Sequence, residues 1–267
     1  MSEVVKCPNC GTAIFIQTET SSYQTQYKNI FEAAKSGIVK DVAYFIENGT
    51  DVNAISPYYN PNDRLNIPLQ FAIRYNTNIK VVEYLLSKGA DVNFLTGSET
   101  SPLSLALTYK RNEIEVIKLL ISQGVDVNAS EKRSPPLHEA IKSHNFQAVQ
   151  LLVSNGADVC VKNSGGGIPI LLAVGQGNIE LVQFLVSHGA DIHVKDPGTH
   201  TTILSSATHV VMAKFLVSQG VECSDDDRKA AYNRLKRYEK NENMVKDVKK
   251  MYEDVYKFFE DSISNKK

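Results

Sequence analysis

An all-α solenoid of stacked helix-turn-helix units, with extended fingers between units and a helical cap at the C-terminal end, is the fold class that three observations predict. The first is a recurring glycine: Gly49, Gly89, Gly124, Gly156, Gly189 and Gly220 follow one another at spacings of 40, 35, 32, 33 and 31 residues. The second is an apolar pair before each glycine, from Val42 and Phe45 in the first unit to Ala213 and Leu216 in the last. Apolar residues three apart form the buried stripe of an amphipathic helix, and the following glycine supplies a left-handed stop. The third is a proline that opens a shorter apolar segment in the middle units, at Pro68, Pro102, Pro136 and Pro169. Proline suits a first helical turn, where its missing N–H costs no bond. A unit this short cannot bury a core alone, so the units must stack.

Taken in order, residues 1–26 stand apart. Cys7-Pro8-Asn9-Cys10-Gly11 is a turn that brings two thiols to one side, similar to half of a zinc ribbon. Structural zinc takes four ligands, and no second CxxC follows. Three readings stay open: a zinc half-site completed by a second chain, a redox pair, and a remnant knuckle. Ala13–Ile16 reads as a short strand, and the Ser/Thr/Gln-rich stretch from Thr18 to Gln26 as a linker. The stacked units occupy 27–223. Their most regular copy runs from Pro136 to Asp158, as helix, tight turn, helix, glycine stop and finger. Small residues at Ala33, Ala72, Ala106, Ala140 and Ala173 mark where neighbouring helices approach closely. Ser101 is suited to cap the helix after it, whereas Ile67, Pro135 and Ile168 are not. The first finger is longer than the second and contains two tyrosines, Tyr58 and Tyr59. The sixth unit has Thr202 in place of the proline and is shortened, which puts its regularity in question. Residues 224–267 form a different element. Ser224 before Asp225-Asp226-Asp227 is a helix start, with acidic residues at the positive end of the dipole. A last helix is expected over 243–261, with Val245, Val248, Tyr252, Val255 and Phe259 on one stripe. This element is read as a cap over the last unit or as a dimerisation arm.

The period, Pro136-Leu137-His138 and the glycine-led Gly89-Ala90-Asp91-Val92-Asn93 together resemble the ankyrin repeat. The resemblance covers about residues 27–223, with six registers in agreement. It implies helix pairs stacked with β-hairpin fingers to one side, a His138 that bonds backbone groups at its turn, and a protein partner met by finger tips and the exposed ends of the inner helices. Those ends, carried onto this chain, include Lys35, Arg74 and Tyr75, Thr108 and Tyr109, Lys142 and Ser143, Gly175 and Gln176, and Thr208 and His209.

Composition narrows the function classes. Lys+Arg 29 against Asp+Glu 30 gives a net charge of -1, which disfavours nucleic acid, whose binding needs concentrated positive charge. No apolar run reaches membrane length and no secretory signal is visible, so a cytoplasmic setting is expected, or a host cytoplasm or nucleus for a viral or bacterial effector. His188, His193, His200 and His209 fall close together in sequence, but the repeat register scatters them, with His209 at the end of an inner helix. No nucleophile–base spacing or phosphate loop appears, so no catalytic residue is assigned and an enzyme is not expected. Zinc at Cys7 and Cys10 is the one cofactor the sequence suggests. The candidate binding residues are Tyr58, Tyr59, Arg74, Tyr75, Tyr109, Lys110, Arg111 and Lys142, because tyrosine and arginine dominate interface hot spots. Their basic rim points to a partner with an acidic face. The alternative is an assembly or host-directed effector protein that oligomerises through a zinc-bound CxxC knuckle and recruits a target via the repeats; the knuckle and the C-terminal helix are the two routes to a homo-oligomer.

Overall fold

Short amphipathic segments set the local structure, and a glycine stop follows the second helix of each repeat. In the computed structural model of the chain, the described residues are 3–6, 13–16, 23–57, 65–75, 78–95, 101–109, 113–129, 134–195, 201–239 and 246–264. A two-stranded antiparallel sheet comes first. It pairs β1 (Glu3–Lys6) with β2 (Ala13–Ile16) in the register Glu3 opposite Ile16 and Lys6 opposite Ala13. Five helix pairs follow: α1 (Ile30–Ser36) with α2 (Val39–Glu47), α3 (Pro68–Tyr75) with α4 (Ile79–Ser87), α5 (Pro102–Thr108) with α6 (Glu113–Ser122), α7 (Pro136–Lys142) with α8 (Phe146–Ser154), and α9 (Pro169–Gly175) with α10 (Ile179–Ser187). In the sixth repeat a 3-10 turn, η1 (Ile203–Ser206), replaces the first helix and precedes α11 (Val210–Ser218).

The inner elements α1, α3, α5, α7, α9 and η1 stack in sequence order, and the outer helices α2, α4, α6 and α8 do likewise. The predicted apolar stripe is the core: Val42, Val82, Leu85, Ile117, Leu120, Val149, Leu152, Val182, Leu185, Ala213 and Leu216 are buried, and Phe45 in the first repeat is half-buried against them. The alanines Ala33, Ala72, Ala106, Ala140 and Ala173 are buried between neighbouring inner helices, as the need for close approach predicts. All six helix-stopping glycines have positive φ, and the residue after each donates its N–H back to a carbonyl five residues earlier, as Ala90 does to Leu85 at 3.0 Å. This is the left-handed stop anticipated from the sequence.

Side-chain caps are more numerous than the sequence reading found. Ser101 accepts from the Ser104 N–H as expected. Asn78, Asn145 and Asn178 sit at one register before the outer helices and accept from Lys80, Ala148 and Leu181 N–H groups. His209 is corrected by the structure: it does not end an inner helix but stands just before α11. Its ring lies so near Gly177 that a Cβ there would come 2.8 Å from Nδ1. Gly177 is therefore required by contact as well as by its φ of 73°.

The sixth repeat departs from the others for a reason outside itself. The C-terminal pair, α12 (Asp225–Glu239) and α13 (Lys246–Ser264), packs α12 on η1 and α13 on α11, so it continues the stack as a fingerless last layer. Asp227 is fully buried. Its carboxylate accepts from the Thr202 N–H at 2.8 Å, the Thr202 hydroxyl at 3.0 Å, and the Ser224 N–H at 2.9 Å. Ser224 in return caps the Asp227 N–H, a reciprocal capping box. A proline at 202 would lack the N–H that Asp227 uses. Arg234 of α12 donates to the carbonyls of Ser205 and Ala207, which the short 3-10 turn leaves open. Val255 and Phe259 of the predicted stripe are buried, and the last helix continues three residues past its expected end, while residues 243–245 of the expected span lie outside the described residues. At the other end, Tyr23, within the stretch read as a linker, donates to the buried carboxylate of Asp41 at 2.7 Å, while Lys40 lies over its ring.

Candidate protein-binding surface

A line of rings leads from the buried Phe31 and Phe71 of the core out to the half-buried ends of the inner helices. Phe31 of α1 meets Phe71 of α3 with ring centroids 5.4 Å apart, and Phe71 stacks toward Tyr75 one turn later at 6.5 Å. The spacing of four residues between Phe71 and Tyr75 places them on one helix face. Lys35, exposed at the end of α1, holds its ammonium 5.0 Å from the Phe71 centroid and 4.9 Å from that of Tyr75. Arg74 then bridges to the third repeat: its guanidinium lies 5.1 Å from the Tyr75 ring and 4.7 Å from Tyr109. Cations over aromatic rings at this range gain about 0.5–1 kcal/mol each at exposed sites. The result is a row of alternating rings and positive charges across repeats one to three.

This row joins three of the sequence-predicted residues, Arg74, Tyr75 and Tyr109. Lys142 is not part of it. Its ammonium is held within its own repeat, by the Ser134 hydroxyl at 2.9 Å and the Glu139 carboxylate at 3.0 Å. Tyr58, Tyr59, Lys110 and Arg111 lie outside the described residues, as do Cys7 and Cys10. The sequence reading assigned no role to Phe31 or Phe71, and it left Lys35 out of the binding set although Lys35 shares the register of Arg74. It also missed Ile55 and Leu95, which follow Asn53 and Asn93 by two residues on successive fingers and are 66% and 47% exposed. The corresponding residues of fingers four and five are exposed lysines, Lys162 and Lys195. An alignment of the repeats on their finger asparagines would have singled out the apolar pair.

The other candidate constellations are structural. His138 is fully buried, and its Nε2 donates to the Gly167 carbonyl at 2.9 Å, in the finger that follows. Burial lowers its pKa, the backbone bond opposes that, and Nδ1 has no partner. The ring is therefore neutral near pH 7 and joins one repeat to the next. Gln70 holds the equivalent place in repeat two, where it accepts from the Asn66 N–H at 2.9 Å and donates to the Phe94 carbonyl at 3.4 Å. Cys160 approaches the Gly189 carbonyl at 3.7 Å, in the position where other repeats carry asparagine. Among the described residues, no group of three or more His, Cys, Asp and Glu is placed to hold a metal ion, and no helix is long and apolar enough to cross a membrane.

Comparison with known proteins agrees with this architecture. The family model described as ankyrin repeats (3 copies) matches residues 69–163 and 137–227. The chain is 28% identical over 166 residues to the mitochondrial disaggregase of Bos taurus, covering 60% of this chain and 23% of that protein. It is 31% identical over 126 residues to the transient receptor potential cation channel subfamily A member 1 of Homo sapiens, covering 47% and 11%. A putative ankyrin repeat protein of Rickettsia felis is 30% identical over 142 residues, covering 50% and 60%. The chain thus spans less than a quarter of the first two relatives. The matched repeats span more than half of the chain, and the chain belongs to the ankyrin-repeat family.

Proposed function

We propose that this chain is a non-enzymatic interaction module that binds a partner protein with an acidic face through the inner-helix ends of repeats one to three. The observation that carries the reading is the Arg74 guanidinium seated against Tyr75 and Tyr109, with Lys35 on the neighbouring rings. Ring contacts restrict side chains that would otherwise lose rotamer freedom on binding, so less entropy is lost when a partner docks. Tyrosine and arginine in such a cluster are the residue types that dominate hot spots. Tyr58, Tyr59, Lys110 and Arg111 extend this proposed surface in the sequence, and Ile55 and Leu95 add exposed apolar area on the fingers. Ankyrin repeats serve many partners, so the fold alone supports the class of activity and the row supports its location.

The test is quantitative binding of a captured and purified partner by the intact chain and by the Tyr75→Ala/Tyr109→Ala double variant. Loss of about 2–4 kcal/mol is expected for removal of two anchors. A double variant with an unchanged circular dichroism melt and full affinity overturns the assignment.

A further inference from the structure

Two of the six helix stops are chemically unlike the others. Before the stop glycine stand Lys88, Gln123, His188 and Gln219 in four repeats, but Asn48 and Asn155 in the first and fourth. These are the two Asn-Gly pairs of the chain, and both asparagines are exposed. Asparagine before glycine is prone to close on itself, because glycine carries no side chain to hinder its own amide nitrogen. That nitrogen attacks the asparagine Cγ, its proton leaves with the side-chain nitrogen as ammonia, and a five-membered succinimide forms. Water then opens the ring at either carbonyl, giving aspartate or isoaspartate. The reaction needs no oxidant, reductant or enzyme. Glutamine would have to form a six-membered ring, which is much slower, and lysine and histidine have no carboxamide to attack.

The closed cap blocks this chemistry at both stops. The Gly49 N–H donates to the Ile46 carbonyl and the Gly156 N–H to Val153, each at 3.1 Å. The side-chain amides are held as well, Asn48 Nδ2 by the Tyr44 carbonyl at 2.6 Å and Asn155 Nδ2 by Leu151 at 2.8 Å. With ψ of 19° at Asn48 and 22° at Asn155, the glycine nitrogen points away from Cγ, and ring closure requires a large rotation out of the cap. Reaction therefore waits for the helix end to open, and its rate follows the open fraction. The two ends are not held alike. Leu152, four residues before Gly156, is buried, whereas Phe45, four before Gly49, is half-buried. Among the described residues, α7 packs closely on both α5 and α9, whereas α1 packs closely on α3 and its own α2. A repeat held by two interfaces opens less often than one held by a single interface.

We propose that Asn48 is a site of spontaneous deamidation gated by opening of the α2 C-terminus, and that the stack holds the same chemistry shut at Asn155. Either product undoes the stop. Aspartate at 48 places negative charge at the negative end of the α2 dipole and replaces the donor to Tyr44 with an acceptor. Isoaspartate lengthens the main chain by one carbon, which displaces the Thr50 N–H from the Phe45 carbonyl that it meets at 2.9 Å.

The test holds the full chain warm at mildly alkaline pH, folded or in urea, and maps its peptides by mass spectrometry that separates aspartate from isoaspartate. In urea the two sites should react at similar rates, since each presents the same Asn-Gly pair. In the folded chain both should slow, Asn155 by about tenfold more than Asn48. The aged chain should melt earlier than fresh protein. Asn48→Gln, which gives this stop the residue that repeats three and six carry, should keep its fresh melt through the same treatment. Equal slowing at the two sites, or faster reaction at Asn155, overturns the proposal. So does an Asn48 that reacts as fast folded as in urea, one that stays intact in the folded chain, or a melt that conversion at 48 leaves unchanged.

Discussion

At the ends of the inner helices, repeats two and three carry Tyr75 and Tyr109, whereas repeats four and five carry Ser143 and Gln176 at the same position. The polar pair is used internally. Ser143 Oγ donates to the Leu107 carbonyl at 2.8 Å, Gln176 Nε2 to Ile141 at 2.7 Å, and Thr208 of repeat six to Gly175 at 2.9 Å. Each bond staples an inner helix to the one before it. The finger bases follow the opposite trend. Asn53, Asn93 and Asn128 each donate to the glycine carbonyl of the next repeat and accept the N–H two residues beyond it, at 2.8–3.3 Å. Further on the position is filled by Cys160 and His193. Finger-base asparagines thus join each of the first three repeats to the next, and helix-end bonds join the later ones; the interface of repeats three and four carries both, Asn128 to Gly156 and Ser143 to Leu107.

The largest expected effect is at the C-terminal end, where the stack is closed by a buried carboxylate. Asp227→Ala should cost about 3 kcal/mol in chemical denaturation, because it leaves the Thr202 and Ser224 groups buried without their acceptor. Thr202→Pro is the sharper variant. It restores the residue that opens the helix of the middle repeats, yet it should destabilise by about 1–2 kcal/mol by removing the N–H that Asp227 accepts. A gain in stability would mean that the sixth repeat is irregular for some other reason.

Acid should separate repeat four from repeat two. His138 has its folded pKa lowered by burial, so above about pH 6.5 both folded and unfolded chains hold it neutral and its contribution is complete. As pH falls below that value, the unfolded chain takes up a proton that the folded chain resists, and stability declines by at most about 1.4 kcal/mol per pH unit. Gln70 makes the equivalent cross-repeat bond without titrating. His138→Gln should remove this part of the acid slope in denaturation curves compared at pH 7 and pH 5.5; an unchanged slope would place the proton uptake elsewhere.

Much of this was legible in the sequence where the physics is local. Six glycines read as helix stops because the left-handed conformation admits little else, and the apolar pairs before them read as core because their spacing matches one helix face. The same register placed Tyr75 and Tyr109 at the ends of neighbouring inner helices, where they stand. What escaped the sequence depends on partners far along the chain. Thr202 is explained by Asp227, 25 residues later and on another element. Lys142 looked like an available cation, yet Ser134 and Glu139 hold it. The seat of Arg74 between two repeats needed the packing of α3 against α5, which periodicity predicts only as a contact and not as a geometry.

The smallest effect tests the comparison most directly, because it moves one link from the first half into the second. Asn128→Ala removes two hydrogen bonds between repeats four and three, one to the Gly156 carbonyl and one from the Asp158 N–H, both at 2.8 Å. Exposed bonds of this kind contribute about 0.5–1.5 kcal/mol each, so a loss of about 1 kcal/mol is expected. At the next interface, Cys160 reaches the Gly189 carbonyl only through sulfur at 3.7 Å, while its own N–H is already held by Asp158. Cys160→Asn should supply the donor to Gly189 and an acceptor for the Asp191 N–H, raising stability by about 0.5–1 kcal/mol. The backbone there needs no change, since Asp158 and Cys160 already make the turn that Asp126 and Asn128 make one repeat earlier. A Cys160→Asn variant no more stable than the parent would mean that the helix-end bonds of Ser143, Gln176 and Thr208 already fix the spacing of the later repeats, and that the finger-base link there is redundant.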